Sequence, residues 1–284
     1  MKEKKNIQGG IYEGERALFM LKDAFIVGAT FQNGESPLKE SRDLVLRNVA
    51  FKWKYPIWYA NNIDCDSCRL DFTARSGIWY TKNIKMRNCK MIAPKTFRYS
   101  SYITLDTCSF PHASETLWKC DHVFINNCDF KGDYFGMNSS DIEVNHIRMD
   151  GNYMFDGAKN IVVRDSILNS KDAFWNTENA TLINCKIIGE YLGWNSRNLT
   201  FINCEISSLQ ALCYIDGLKL INCKLLDSTL TLEYCKNIDV EIIDVVDSIK
   251  NPTSGIVKVK GINNLIIDEN SLDKERKNVK IILL

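Results

Sequence analysis

The sequence predicts an all-β solenoid, a chain wound into short coils that stack on one another. Three observations predict it. A segment typified by Lys82-Asn83-Ile84-Lys85-Met86-Arg87-Asn88-Cys89-Lys90-Met91 returns throughout the chain. Aligning on Cys89 gives Ala29, Val49, Cys68, Cys108, Cys128, Ile147, Ser166, Cys185, Cys204, Cys223 and Ile243, at steps of about 19 to 21 residues. Within each step apolar and polar residues alternate with a period of two, as half-buried strands do, and helical spacing is absent. Directly before the Cys column stands a polar one: Asn48, Ser67, Asn88, Thr107, Asn127, His146, Asp165, Asn184, Asn203 and Asn222. Asparagine tolerates left-handed backbone angles, and stacked amides can bond from coil to coil, so this column reads as a corner, His146 included.

In chain order, residues 1–17 read as an N-terminal cap, 18–250 as regular coils, and 251–284 as an irregular last coil and tail, all within one domain, 1–284. Gly9, Gly10, Gly14, Glu13 and Glu15 fall in the cap, which an open stack end requires. In each coil three columns point inward: five before the Cys position (Ile63, Ile84, Ile103), three before it (Met86, Leu105, Ile125) and two after it (Leu70, Met91, Phe110). Three short strands per coil then make a prism. Asn251-Pro252-Thr253-Ser254-Gly255 marks the turn at which regularity ends, and the tail carries Leu265-Ile266-Ile267, charged Asp273 to Lys277, and apolar Val279 to Leu284.

Ten residues before the Cys position runs a column that opens with Phe19 and Lys39 and contains Trp58, Trp79, Arg98, Trp118, Asp156, Trp175, Trp194 and Glu233. A pentapeptide-repeat prism would bury this column, and unpaired charges are rarely buried, so that model fails. The preceding residues, Leu38, Ile57, Ile78, Phe97, Leu117, Phe135, Phe155 and Phe174, are the inward set, which leaves the Trp column facing water.

Composition bounds the function. The chain has 284 residues, a formal charge of +1 and 45% hydrophobic residues, enough for a core and without the basic footprint of a nucleic-acid or membrane-surface protein. No stretch reaches transmembrane length and no apolar run follows the charged N-terminus, so a cytoplasmic location is expected. Eleven cysteines, an odd number at a repeat position, suit a reduced core better than disulfides. Cys65 and Cys68 form a lone Cys-x-x-Cys without the second pair that zinc needs.

The stacked Asn-Cys coils, with Tyr-Pro-Ile-Trp-Tyr and Gly-Ile-Trp-Tyr segments between them, resemble single-stranded right-handed parallel β-helices of the pectin-lyase-like group over nearly the whole chain, here about twelve coils of about 19–20 residues. The opening Gly-Gly-Ile-Tyr-Glu-Gly-Glu-Arg-Ala-Leu-Phe and the segment Gly34-Glu35-Ser36-Pro37-Leu38-Lys39-Glu40-Ser41 resemble, more narrowly, a bacterial family catalogued as a domain of unknown function. The narrower resemblance implies a fold and no activity. The wider group contains polysaccharide lyases and hydrolases, none of whose motifs is carried by this chain.

An outward Trp column suggests carbohydrate, because aromatic rings pack on the apolar faces of sugars. Trp58, Trp79, Trp118, Trp175 and Trp194, with Lys39, Tyr59, Tyr80 and Tyr99, are the candidate binding residues for an oligo- or polysaccharide. If the protein is an enzyme, a polysaccharide lyase or glycoside hydrolase is expected, with Asp156, Arg98, Asp133, Asp172 and Lys119 as candidate catalytic groups and Glu115 nearby. No cofactor is required, although Ca²⁺ at Asp133, Asp156 and Asp172 would suit a lyase. Glu35, Lys39, Glu40 and Arg75 form a second, weaker charged cluster. The rival reading is a non-enzymatic scaffold whose Trp column lies in a loop or subunit contact. An aliphatic strip of Ile183, Ile202 and Ile221 is compatible with a homodimer.

Overall fold

The structure, a computed structural model, describes residues 4–268 and 278–284. The chain is built of right-handed parallel β-helix coils, and its contacts divide it into two compact units, Met1–Glu143 and Val144–Leu284.

In the first unit the longest side of each coil is a six-residue strand: Lys22–Val27, Arg42–Arg47, Asn61–Asp66, Lys82–Arg87, Ser101–Asp106 and Asp121–Asn126. Each lies parallel on the next, with Ile84 level with Ile63 and Ile103, and Met86 level with Cys65 and Leu105. Ile84 and Met86 are buried while Lys82 and Lys85 between and beside them are exposed, the alternation that the sequence pattern requires. Burying a side chain such as Ile84 contributes roughly 1.5–3 kcal/mol, and the column repeats that gain at every coil. What ends each strand is the polar corner. Asn48, Ser67, Asn88, Thr107 and Asn127 all hold a left-handed backbone, φ 51 to 55°, a region that asparagine enters at least cost among non-glycine residues. Beyond it come short strands such as Lys90–Met91 and Ser109–Phe110, whose inward rings stack, Phe31 on Phe51 at 5.2 Å and Phe110 on Phe130 at 4.6 Å.

The third side is only intermittently a strand. Ile78–Trp79 and Phe97–Arg98 pair, and left-handed residues stand close together on this side in those coils as in others, Ser76 and Tyr80 as well as Tyr55 and Tyr59. Hydrogen bonds nevertheless run from coil to coil, from Ile57 N–H to the Gly77 carbonyl (2.8 Å) and from Tyr59 N–H to that of Trp79 (3.0 Å). The prism therefore has two regular strands and one turn-rich side. Coil length varies before that side: Cys68 to Cys89 takes 21 residues and Cys89 to Cys108 takes 19, and the longer coil carries a turn at Phe72–Thr73 with Phe72 exposed.

Two boundaries differ from the sequence reading. Lys5–Gln8 already pairs in parallel with Ala24–Val27 and Ile11–Tyr12 with Thr30–Phe31. Residues expected to form only a cap thus belong to a coil, anchored by buried Ile7. At the other end regularity fails before residue 250. Where the polar corner would continue stands Ile242, a β-branched residue without a left-handed backbone. Strand Ile238–Lys250 runs through the corner, with a register shift between Ile242 and Val245.

In the second unit Lys159–Arg164, Glu178–Ile183 and Arg197–Ile202 repeat the long side. Their corners are joined by side-chain amides: Asn184 donates to Asp165 (3.0 Å), Asn203 to Asn184 (3.2 Å) and Asn222 to Asn203 (2.8 Å). Ile183, Ile202 and Ile221 are half-buried rather than open. Charged Asp273 to Lys277 lie outside the described residues. All eleven cysteines are free and buried, Cys65 and Cys68 among them, and several thiols donate to main-chain carbonyls, as Cys185 does to Ile183 at 3.3 Å.

Candidate functional site: two aromatic stacks

Coils a strand spacing apart, ~4.8 Å, set equivalent aromatic rings near their stacking distance. In the first unit Trp58 and Trp79 lie 5.2 Å apart and almost parallel, at 7°. Arg98 continues the stack, its guanidinium carbon 5.0 Å from the Trp79 ring centre and 4.6 Å from that of Trp118. The indole N–H groups turn onto the main chain of the next coil, Trp58 to the Ser76 carbonyl (2.6 Å) and Trp79 to that of Lys95 (3.0 Å). The column faces outward as expected, yet its indole faces are taken up by one another and by Arg98. A sugar lying along the coils would meet the ring edges of Trp58 and Trp79 rather than their faces. The physical reason is the coil spacing itself, which leaves no room for a ring between rungs.

One residue on, at a left-handed corner, a second stack runs beside the first. Tyr59 and Tyr80 lie 4.7 Å apart at 7°, and Tyr80 and Tyr99 5.3 Å apart at 3°. Lys39 Nζ stands 5.5 Å from the Tyr59 ring and Lys119 Nζ 5.7 Å from the Tyr99 ring, so the stack is cationic at both ends. These tyrosines are 40–49% exposed, and among the described residues no hydrogen bond ties down their hydroxyls.

The proposed catalytic residues do not share one environment. Arg98 forms an ion pair with Glu115, which also binds Lys95 at 3.0 Å; held in the stack, it is a poor acid or base. Its buried Nε has no partner among the described residues. Lys119 caps the tyrosines. Asp133 is exposed, and its carbonyl accepts from the Glu115 N–H at 2.8 Å. In the second unit Asp156 accepts from the Asn176 amide at 2.9 Å. Asp172 is buried, and desolvation holds its carboxyl above the ordinary range, although a hydrogen bond with Tyr153 and the charge of Lys171 act the other way. Among the described residues no three His, Cys, Asp or Glu side chains converge as a metal site. Lys54 pairs with Glu35 at 3.2 Å and Lys39 with Glu40 at 3.9 Å, while Arg75 is exposed.

The second unit carries its own aromatic run. Trp175 and Trp194 are 6.0 Å apart and tilted by 36°, and Tyr214 and Tyr234 continue it. Trp175 donates to the Tyr191 carbonyl at 2.7 Å. Sequence reasoning passed over Trp53, exposed beside Lys54. It also missed the outer face of the six-residue strands around Tyr102, His122 and Phe124, where residue types change from coil to coil and no column stands out.

A family profile described as "Protein of unknown function (DUF3737)" matches residues 5–281. The chain belongs to that family. No curated protein matches its sequence. Among solved structures it is similar to PfbA, a surface adhesin of Streptococcus pneumoniae, at 10% identity and a TM-score of 0.53, covering 84% of each chain. The tailspike protein of E. coli bacteriophage HK620 in complex with a pentasaccharide gives 8% identity and a TM-score of 0.45 over 98% of this chain and 72% of the other. The A-module of the Azotobacter vinelandii mannuronan C-5 epimerase AlgE4 gives 8% and 0.29, over 97% and 90%. The likeness at this identity is one of fold.

Proposed function

We propose that this protein binds an oligo- or polysaccharide, without turning it over, along the tyrosine edge of its first unit. One observation carries the reading: Tyr59, Tyr80 and Tyr99 offer three untied hydroxyls at coil spacing, between the ammonium groups of Lys39 and Lys119. A row of phenols spaced at about the ~4.8 Å coil repeat is commensurate with a chain of sugar rings. Phenolic oxygens both donate and accept, and lysine adds three donors. The stacked rings hold the hydroxyls in place before a ligand arrives, which lowers the ordering cost of binding. Trp58 and Trp79 behind them act as a buttress, since their facing rings and their N–H groups are already engaged.

The triple variant Tyr59→Phe, Tyr80→Phe, Tyr99→Phe keeps every ring and removes every hydroxyl. Calorimetric titration with a panel of neutral and acidic oligosaccharides should show binding to the parent protein, weakened about tenfold or more in the variant, as expected when ~1.4 kcal/mol of hydrogen bonding is lost. Absence of binding to any member, or equal binding by the variant, overturns the reading.

A further inference from the structure

A small cleft of about 210 Å³ opens in the first unit, lined by Trp53, Lys54, Phe72, Thr73 and Arg75. The coil ladder fixes where these residues stand. Phe51 is level with Leu70, which sets Trp53 level with Phe72. Each main-chain bond runs to the residue level with the one before the donor, as Lys52 N–H does to Phe31, the residue level with Phe51. The Tyr55 N–H reaches the Arg75 carbonyl at 3.3 Å, so Arg75 is level with Lys54. Thr73 and Ala74 are therefore the two residues by which this coil is longer, and they fall at the cleft. The whole lining lies in two adjacent coils, ~4.8 Å apart along the stack.

At that spacing other level rings stack, Phe31 on Phe51, Trp58 on Trp79 and Tyr59 on Tyr80. Trp53 and Phe72 make no such contact among the described residues. Phe72 instead meets His112 edge-on at 5.7 Å, two coils further along and past buried Ala93, and stays 60% exposed. Thr73 Oγ1 donates to the Lys52 carbonyl at 2.5 Å, which ties the added turn to the coil before it. The charged lining is wholly cationic. Lys54 Nζ lies 5.4 Å from the Trp53 ring centre and is paired with Glu35 at 3.2 Å. Arg75 is exposed, and its guanidinium has no partner among the described residues. No Asn, Gln, Asp or Glu lines the cleft to meet the hydroxyls of a sugar, and the Thr73 hydroxyl is already spent as a donor. At ~30 Å³ per water the space holds about seven, which suits one small ring and not a glycan chain.

We infer that this cleft takes a small aromatic acid, its ring against Trp53 and Phe72 and its carboxylate on the Arg75 guanidinium. Arginine's planar fork matches a carboxylate through two parallel hydrogen bonds, and indole and phenyl groups pack on a flat ring by offset or edge contacts. The cleft shares no residue with the tyrosine edge, so it stands or falls apart from the glycan reading.

The test is titration of the full chain with benzoate, phenylacetate and indole-3-acetate, read by saturation-transfer NMR. The corresponding carboxamides supply the uncharged rings, and tetragalacturonate supplies carboxylates borne on sugar. The expected result is saturable binding of at least one aromatic acid at about 1 mM or tighter. That binding should weaken about tenfold or more in Arg75→Gln and in Phe72→Ala, and stay within about threefold in the triple tyrosine variant, which leaves the cleft intact. Arg75 and Phe72 are exposed, so both variants should fold; unfolding curves matching the parent check this. Carboxamides bound as tightly as the acids, or acid binding untouched by Arg75→Gln, overturns the inference. Acid binding lost in the triple tyrosine variant moves the acid to the tyrosine edge and overturns the cleft. Tighter, Arg75-dependent binding of tetragalacturonate overturns the aromatic class. Binding of no aromatic acid overturns the inference outright and leaves the glycan reading standing.

Discussion

Arg98 closes over Trp118, its guanidinium carbon 4.6 Å from the ring centre, and in doing so fills the rung between Trp79 and Trp118, where no indole stands. Cation–π contacts of this partly desolvated kind are worth roughly 1–2 kcal/mol. Arg98→Ala should therefore lower stability by ~2 kcal/mol, opening a gap between Trp79 and Trp118 and removing the Glu115 ion pair. Denaturant unfolding checks the loss, and a red shift of tryptophan emission in the native baseline checks the gap. An unchanged unfolding midpoint would mean that the rung carries no load.

The corner asparagines test backbone and side chain separately. Asn203 has φ 53°, donates to Asn184 and accepts from Asn222. Asn203→Ala loses both bonds and strains the left-handed backbone, for a cost of roughly 2–3 kcal/mol. Asn203→Gly keeps the backbone and loses only the bonds, so it should cost ~1 kcal/mol less than the alanine variant. Equal losses would show that the backbone angle is not what selects asparagine.

Buried Asp172 carries a raised carboxyl value, chiefly through desolvation. A raised acid favours the protonated folded state: the stability it contributes is complete below the unfolded value of 3.8 and is lost as pH rises through the folded one. Asp172→Asn should therefore be more stable than the parent at pH 7 and gain nothing at pH 3. Thermal melts of both proteins across that range decide it.

Gly189 permits a close approach between neighbouring coils, since a Cβ there would lie 2.1 Å from the Ser170 carbonyl oxygen. Main chain cannot step aside cheaply, and Gly189→Ala should destabilise by more than ~2 kcal/mol. Urea unfolding measures it.

The buried thiols give a chemical test. Desolvation pushes Cys120 and Cys213 up to about 12, and all eleven cysteines are buried, so a thiol reagent at pH 8 should react with none until the protein unfolds. Prompt modification of the native protein would place a thiol at the surface.

How much of this was legible in the sequence follows from what each residue answers to. Asn203 and Asn88 answer to their own backbone angles, so the corner could be read from residue type alone. Ile84 and Met86 answer to a period of two, which is equally local. Arg98 answers to the rungs on either side of it. As a charge in an outward column it reads as chemistry, and only coil spacing reveals it as a substitute for an aromatic ring. The tryptophans were placed on the correct face for the same local reason, while their stacking depended on a distance that no alternation pattern encodes. Trp53 was passed over because its meaning lies in Phe72 beside it, a neighbour nineteen residues away in sequence.

The unequal coils separated by Cys68, Cys89 and Cys108 point to a use in engineering. The stack already accommodates two additional residues in the coil with the exposed turn at Phe72 and Thr73 without losing the register of its long strands. A foreign peptide spliced between those two residues would emerge as a tethered bulge on the outside of the stacked coils, with the flanking rungs as clamps. The same position in other coils offers a way to display several such inserts at fixed separations.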